Sequence, residues 1–402
     1  MPNLASNETF QGSFTQQEPI PDEAIDAAVA VLRTGRLHRY NVAPGQIGET
    51  AKLERDYARW QGAEYCLAVA SGGQAMQIAL RAAGVAQNDL VLTNSFTLAP
   101  VPGAIHAVGA RPVFVEIDED LLIDLDDLAA KAQHSDVKVL LLSHMRGHLC
   151  DMDRLMEVAT AHGLVVIEDC AHTIAARWNG KRSGNFGLAG CFSTQTYKHI
   201  NSGEGGLLTS DDPDFMARAT ILSGSYMLYE RHGSVPDPAH FDLPRYEMAN
   251  MSARMDELRA AILRPQLDAL EENAKRWNAR YAAVAQELEG SNDIVLPHRL
   301  AGEFMVGSSI QFRLPDRDPE SCREFVRRAA ARGVELKWFG ASEPVGFTSS
   351  HLHWHYVERQ NLPNTDRVLA TLFDMRLPLT FSVDDCHMIG RIIREVASDP
   401  PG

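Results

Sequence analysis

The sequence predicts an α/β protein: a mainly parallel sheet flanked by helices, followed by a smaller C-terminal α/β portion. Between Cys66 and Ile167, short apolar runs alternate with longer amphipathic stretches, the pattern of repeated strand–helix units. The apolar runs carry no polar face, as strands covered on both sides require. With 402 residues, 45% hydrophobic and 23% charged, the chain has material for a large core and for two domains. The boundary is placed within a long helical stretch, giving a large domain over 1–260 and a small one over 261–402.

Two amphipathic helices open the chain, from Asp22 to the stop at Gly35 and from Glu49 to Trp60 before Gly62. Strands are then expected at Cys66–Val69, Leu90–Leu92, Pro112–Val115, Val139–Leu142 and Leu164–Ile167. Helices fall between them, starting at Gln74, after Thr97, near Leu125–Ala132 and at Met152–Ala161. A further apolar run, Gly190-Cys191-Phe192, leads toward a glycine-rich turn. Periodicity vanishes between Ser223 and Asn250, where Tyr226, Tyr229, His232, Pro236, Pro238 and Pro244 accumulate; a loop this long inside a compact chain is usually functional or disordered. Helix returns from Ser252 to Leu288, interrupted at Pro265. The last portion reads as a strand at Ser309–Phe312, a helix at Ser321–Ala331, a strand at Val334–Leu336, and helices at Thr365–Phe373 and Val383–Val396.

Charge and cysteine usage exclude several classes. Asp and Glu number 53 against 38 Lys and Arg, a net charge of −15, so neither nucleic acid nor an anionic membrane is an expected partner. No apolar run reaches the ~20 residues of a membrane-spanning helix. The cysteines, Cys66, Cys150, Cys170, Cys191, Cys322 and Cys386, lack Cys-x-x-Cys spacing, which fits free thiols in a reducing compartment. Met1–Glu8 shows no basic head followed by an apolar run, so no signal peptide is read there and a cytoplasmic protein is expected.

Open sheets hold ligands at the carboxyl ends of their strands, so the polar residues there are the candidates for chemistry. The run Leu164–Ile167 delivers Glu168-Asp169-Cys170-Ala171-His172; an acid here holds a ligand or caps a helix, and both readings stand on local sequence. After Gly190-Cys191-Phe192 come Ser193 and, five residues later, Lys198, then Gly203-Glu204-Gly205-Gly206. Lysine is scarce, and Lys198 alone lies between apolar strands and glycines, the setting of a desolvated amine that forms Schiff bases. Upstream, Ser71-Gly72-Gly73-Gln74 leads from strand to helix and offers backbone N–H groups to a phosphate, though an ordinary tight turn has the same composition. Phosphate cradle, acid and lysine together describe a site for pyridoxal phosphate (PLP).

These residues resemble the DegT/StrS-type nucleotide-sugar aminotransferases, a group of fold type I PLP enzymes, from about Gly35 to Val396. Arg254-Met255-Asp256-Glu257-Leu258-Arg259-Ala260-Ala261-Ile262 and Leu377-Pro378-Leu379 extend the resemblance. It implies a sheet of the seven-stranded type and a role for each matching residue. Lys198 would bond the cofactor, Asp169 would face its pyridine nitrogen, and His172 would lie near its phenolic oxygen. Ser193 would hold the phosphate, with the backbone at Gly72, Gly73 and Gln74 completing the cradle. Three positions depart from the family pattern. Gly73 stands where threonine is usual. Leu98 stands where an aromatic usually stacks on the ring, leaving Leu98 or Phe96 to pack there. Ser252 stands where an asparagine usually reaches a neighbouring subunit's phosphate, with Asn250 close by. Arg254, Trp338 and His353 are implied on the substrate side, where Tyr226 and Tyr229 are also candidates. His351, His353 and His355 would share one face of a strand, but no acid or cysteine lies in register, so no metal is expected.

The activity implied is transfer of an amino group from an amino-acid donor, L-glutamate, to a keto sugar, keto sugar acid or cyclitol ketone, as in polysaccharide or antibiotic biosynthesis. A homodimer with shared sites is implied as well. Two readings of other classes stand beside it: a PLP-dependent sugar dehydratase, and a PLP-fold protein that only binds a ligand. Related dehydratases carry histidine at the lysine position, whereas Lys198 occupies it here; Lys198 with Asp169 speaks against the non-catalytic reading.

Overall fold

The computed structural model describes residues 8–134 and 136–398; Met1–Asn7, which carry most of the signal-peptide reading, lie outside the described residues. The first nine strands are β1 (Tyr65–Val69), β2 (Leu90–Asn94), β3 (Arg111–Val115), β4 (Val137–Ser143), β5 (Val165–Asp169), β6 (Arg177–Trp178), β7 (Lys181–Arg182), β8 (Ala189–Ser193) and β9 (Gly206–Ser210). Seven of them form one sheet in the order β1-β9-β8-β5-β4-β2-β3. Four neighbouring pairs are parallel, while β9 runs antiparallel to both β1 and β8. The mainly parallel, helix-covered sheet expected from the apolar runs is therefore present.

Alternate strand residues serve opposite faces. Val139 and Leu141 pack with Met76, Ile78, Val101 and Ile105, from the helices Gly72–Ala82 and Pro100–Ala107. Leu140 and Leu142 pack with Leu128 and Leu155, from Leu125–Ala132 and Met152–Ala161. A strand clad on both sides has no position for a polar residue except at its ends. The carboxyl ends of β4, β5 and β8 accordingly carry Ser143, Asp169 and Ser193.

The C-terminal portion adds β10 (Glu303–Phe304), which pairs with β6, and β11 (Ser309–Arg313), β12 (Lys337–Trp338) and β13 (Leu372–Arg376), a second sheet in the order β11-β13-β12. Its core gathers Phe312, Phe325, Phe373, Ile389 and Ile393, together with Phe10 and Phe14 from the start of the chain. The helix Leu270–Leu288 spans both cores: Trp277 packs in the large one, and Tyr281, Val284 and Leu288 in the small one. No helix among the described residues is long and apolar enough to cross a membrane.

Three C-terminal expectations change. The helix expected over Thr365–Phe373 runs instead from Pro363 to Leu369, and Leu372–Arg376 is the central strand of the small sheet. Phe373 lies between Phe312 and Trp338, a long-range pairing that local periodicity does not carry. The strand expected at Val334–Leu336 forms at Lys337–Trp338, while Val334 packs into the core without a ladder. The helix expected from Ser252 begins at Glu257, because the Asp256 carboxylate caps it by accepting the Arg259 N–H at 2.9 Å. Ser252 itself sits in the left-handed region, φ 50°. The interruption at Pro265 is present as a 3₁₀ stretch, Arg264–Ala269. The Ser223–Asn250 excursion holds only short turns of helix, yet it is packed: Tyr229 stacks on Phe241 with centroids 4.0 Å apart.

Candidate active site

The pleat turns successive residues of β5 to opposite faces, so Glu168 and Asp169 do different work. Glu168 is fully buried and accepts backbone N–H groups from Gly184, Phe186 and Gly187, with His144 Nε2 3.0 Å away. Burial alone would raise its carboxyl; the His144 bond and these N–H groups outweigh that and hold it below the ordinary value. Glu168 thus anchors the turn before β8. His144, Glu168 and Cys170 have ligand-like spacing, but the carboxylate is saturated and burial pushes the thiol well up, so the set lacks a free anionic ligand.

Asp169 faces the other way. Ser143 Oγ donates to Oδ2 at 3.1 Å, Ala171 N–H donates to Oδ1 at 3.2 Å, and Thr97 Oγ1 supports Ser143 Oγ at 2.9 Å. Burial raises this carboxyl above its ordinary value, opposed by the Ala171 N–H, the Lys198 charge and the Ser143 hydroxyl. A cationic ring nitrogen beside it would add to the opposing side.

Lys198 lies in the turn between β8 and β9, closed by Thr194 N–H to the Gly205 carbonyl at 2.9 Å. A Cβ at Gly205 would come within 2.3 Å of Thr194 Oγ1, so the turn closes only around glycine. The residue as a whole keeps some exposure, but its amine end is crowded by protein: Nζ lies 2.7 Å from His172 Nε2. Burial first, then the Arg146 charge, bring the amine down to about 7. His172 is pushed well below its ordinary value by burial and by the Lys198 and Arg146 charges, and is a neutral ring. Its Nδ1 accepts the Arg146 N–H at 3.4 Å, which leaves the ring proton on Nε2, facing the amine.

The start of the helix Gly72–Ala82 fits a phosphate. Ser71 caps it, and its Oγ takes the Gln74 N–H at 3.1 Å, so that backbone donor, expected in the cradle, is already engaged. Among the described residues the N–H groups of Gly72 and Gly73 have no protein partner. A Cβ at Gly72 would sit 2.9 Å from Ser193 Cβ, so the helix start presses on the end of β8 and brings the Ser193 hydroxyl to the same terminus. A Cβ at Gly73 would meet only Ser71 Oγ, at 3.8 Å, and Gln74 Oε1 is buried without a partner. Open space and unspent backbone donors suit a bound phosphate, and Lys198 and Asp169 suit an aldehyde and a pyridine nitrogen. PLP therefore fits the residues present.

Of the two ring-packing candidates, Phe96 is fully buried, edge-on to Phe339 at 5.3 Å; Leu98 is only partly buried. Asn250 and Ser252 are exposed and bond each other, Ser252 N–H to Asn250 Oδ1 at 2.9 Å. Arg254 donates to the Gly224 carbonyl at 2.9 Å and lies over the Tyr226 ring. This segment runs beside the cradle, with Ala70 N–H bonding the Ala253 carbonyl at 2.8 Å, but among the described residues no hydrogen bond joins its side chains to Lys198, His172 or Asp169. Trp338 is buried in the small core, its indole N–H spent on the Ala370 carbonyl at 2.8 Å. His351–His353 is a 3₁₀ turn rather than a strand. His351 bonds Asp366, and His353 Nε2 lies 3.2 Å from the Ala341 carbonyl.

Sequence reasoning missed Ser143, Thr97, Arg146, Tyr197 and Arg376. Ser143 follows the rule that singled out Asp169, since it ends β4 as Asp169 ends β5, and Arg146 lies in the 3₁₀ turn Met145–Gly147 just beyond that strand end. Arg146 holds φ 56°, is buried, and pairs its Nη2 with Asp374 Oδ2 at 2.7 Å.

The strand order, the lysine turn and the helix-start cradle define a fold type I PLP enzyme. The chain belongs to the DegT/DnrJ/EryC1/StrS aminotransferase family, whose model matches residues 20–394, and it is a PLP-dependent aminotransferase. It is similar to the dTDP-3-amino-3,4,6-trideoxy-alpha-D-glucose transaminase of Micromonospora megalomicea subsp. nigra, at 30% identity over 93% of this chain and 94% of that one. A pleiotropic regulatory protein of Geobacillus stearothermophilus is 33% identical over 66% of this chain and 69% of its own length. The structure of DesV from S. venezuelae, in complex with a ketimine intermediate, matches with a TM-score of 0.78 and 27% identity, over 96% of this chain and 100% of that one.

Proposed function

We propose that the enzyme moves an amino group from L-glutamate to the ketone of a keto sugar, keto sugar acid or cyclitol, with Lys198 as its acid–base and cofactor-bonding residue. The observation that carries this is the Lys198 amine, lowered to about 7 and held 2.7 Å from His172 Nε2. An amine poised at that value exchanges protons in both directions near neutrality, as reversible transamination demands. The relative named for a dTDP-amino-sugar transamination supports a sugar-like acceptor.

Bound PLP supplies an electron sink for the carbon that loses its proton. Gly72, Gly73 and Ser193 would hold its phosphate, Asp169 its ring nitrogen, and Leu98 would pack on the ring. Lys198 Nζ, once released, takes the proton from the donor's α-carbon and returns one to the acceptor's carbon in the second half-reaction. His172 orients that amine. Ser143 and Thr97 hold the Asp169 carboxylate in place.

L-glutamate alone is expected to abolish the visible absorption band of the holoenzyme, and a keto acceptor to restore it. A band that amino-acid donors leave unchanged refutes transamination; loss of a sugar hydroxyl without amine transfer would be the dehydratase outcome.

The working unit we infer is a homodimer. Tyr226, Met227, Leu243 and Tyr246 of the Ser223–Asn250 excursion are apolar or aromatic and exposed, as residues covered by a second subunit would be. Mixing Lys198→Ala with Arg254→Ala protomers tests it: recovery of activity in the mixture supports shared sites, and a fully active monomer in sedimentation refutes them. A cytoplasmic setting is supported by the six cysteines, all buried free thiols.

A further inference from the structure

Arg376 ends β13, opposite Ser309 of β11, and its guanidinium carbon lies 4.0 Å from the centre of the Tyr197 ring, the residue before Lys198. It is half-buried, and among the described residues it forms no ion pair. Two positions earlier on the same strand, Asp374 gives one oxygen to Arg146 at 2.7 Å and the other to Gln311 Nε2 at 2.8 Å. Both Asp374 oxygens are thus engaged, one by the Arg146 guanidinium and one by the Gln311 amide, and among the described residues Arg376 is left without a counter-carboxylate. Arg146 also keeps a buried Nε without a partner, and Lys337, paired across the ladder with Asp374, spends its ammonium on the carbonyls of Val345 and Phe347. In a chain of net charge −15 this is a local surplus of positive charge beside the reacting amine. Tyr197 stacks on the face of the Arg376 guanidinium and also takes a side-chain hydrogen bond from it; the remaining N–H donors suit a planar anion, which such a fork meets with two parallel bonds.

We propose that Arg376, backed by Arg146, is a carboxylate-binding residue of the active site, so that at least one substrate meets Lys198 with a carboxylate. This rests on the transaminase reading, and the chemistry has two sources: the α-carboxylate of the amino-acid donor, or the acid group of a keto sugar acid acceptor. Arg146 and Arg376 both depress the Lys198 amine, after burial, so a bound carboxylate would also strengthen the base.

The test is binding of an unreactive dicarboxylate, glutarate, and its neutral isostere glutaramide to the holoenzyme by calorimetry. Glutarate is expected to bind the parent at least about tenfold more tightly than glutaramide, Arg376→Gln to lose that preference, and Arg376→Lys to keep part of it. Equal glutarate binding by the parent and Arg376→Gln, or no binding by the parent, overturns the proposal. Single-turnover conversion separates the sources. A rise of about tenfold in the half-saturating L-glutamate concentration for Arg376→Gln assigns the donor; an unchanged value alongside lost glutarate preference assigns the acceptor. Binding is read without turnover, so a failure of the transaminase reading, in which no amino acid alters the visible band, is distinct from a failure of this one. The visible band and unfolding temperature verify that each variant is folded, and Arg376→Lys serves should Arg376→Gln not be.

Discussion

Two polar clusters in this protein are comparably enclosed and behave oppositely. In the first, Arg39 grips both oxygens of Glu54 at 3.0 and 2.9 Å, His232 lies against both, and Tyr40 Oη meets His232 Nε2 at 2.8 Å. The Ala68 and Gly233 N–H groups complete Glu54. Burial would raise this carboxyl, but the Arg39 and His232 charges prevail and bring it down to about 2. In the second cluster, Lys198 and His172 face Arg146 and Arg376, and the lysine is brought down to about 7. Burial of charge is common to both; completeness of the counter-charge differs. A balanced pair ties the Ser223–Asn250 excursion to the helix Glu49–Gln61, whereas an unbalanced one leaves a neutral amine available for proton transfer.

The strongest way to break the comparison is Lys198→Ala. Turnover is expected to fall by ~10⁴-fold and the visible band to vanish, with thermal unfolding nearly unchanged. A retained band would remove Lys198 from the chemistry.

Glu54→Gln attacks the balanced cluster and leaves Arg39 buried without a counter-charge. It is expected to cost about 3–5 kcal/mol in denaturant unfolding while the folded fraction turns over normally. Its pH signature follows from the sign of the shift. A carboxyl lowered in the folded chain stabilises fully above its ordinary pKa of 4.5, and that stability is lost as pH falls toward about 2. Glu54→Gln should flatten the acid limb of the stability curve in that window.

Asp169→Asn is next. An ion pair at ~4 Å with an effective dielectric of ~20 is worth about 4 kcal/mol, so single-turnover conversion should slow by up to ~10³-fold with PLP still bound. Conversion as fast as in the parent would make Asp169 a structural residue. Because the Lys198 amine is neutral above about 7, cofactor attachment to the apoprotein, followed by growth of the visible band, should speed up as pH rises through that value and then level off. The smallest effect is expected for Ser143→Ala, which removes one hydrogen bond to a carboxylate: conversion slows about tenfold with stability nearly intact.

The sequence alone made the large sheet legible because strands covered on both faces must be apolar throughout, as Val139–Leu142 and Leu164–Ile167 are. It offered Lys198, Asp169 and the Ser71–Gln74 turn as candidates because a strand end and a glycine turn are local features. It did not reveal β13, because Leu372–Arg376 becomes a strand through partners some sixty residues upstream, Ser309–Arg313, and thirty-five upstream, Lys337–Trp338. Only the tertiary structure turned Phe96 into the core and left Leu98 partly buried, spent the Trp338 indole on Ala370, and set Arg376 over Tyr197, the residue before Lys198. The reason is physical. Periodicity records how a residue relates to its own helix or strand, whereas the charge that tunes Lys198 comes from Arg146 and Arg376, on other elements, and distance through space carries no mark in the chain.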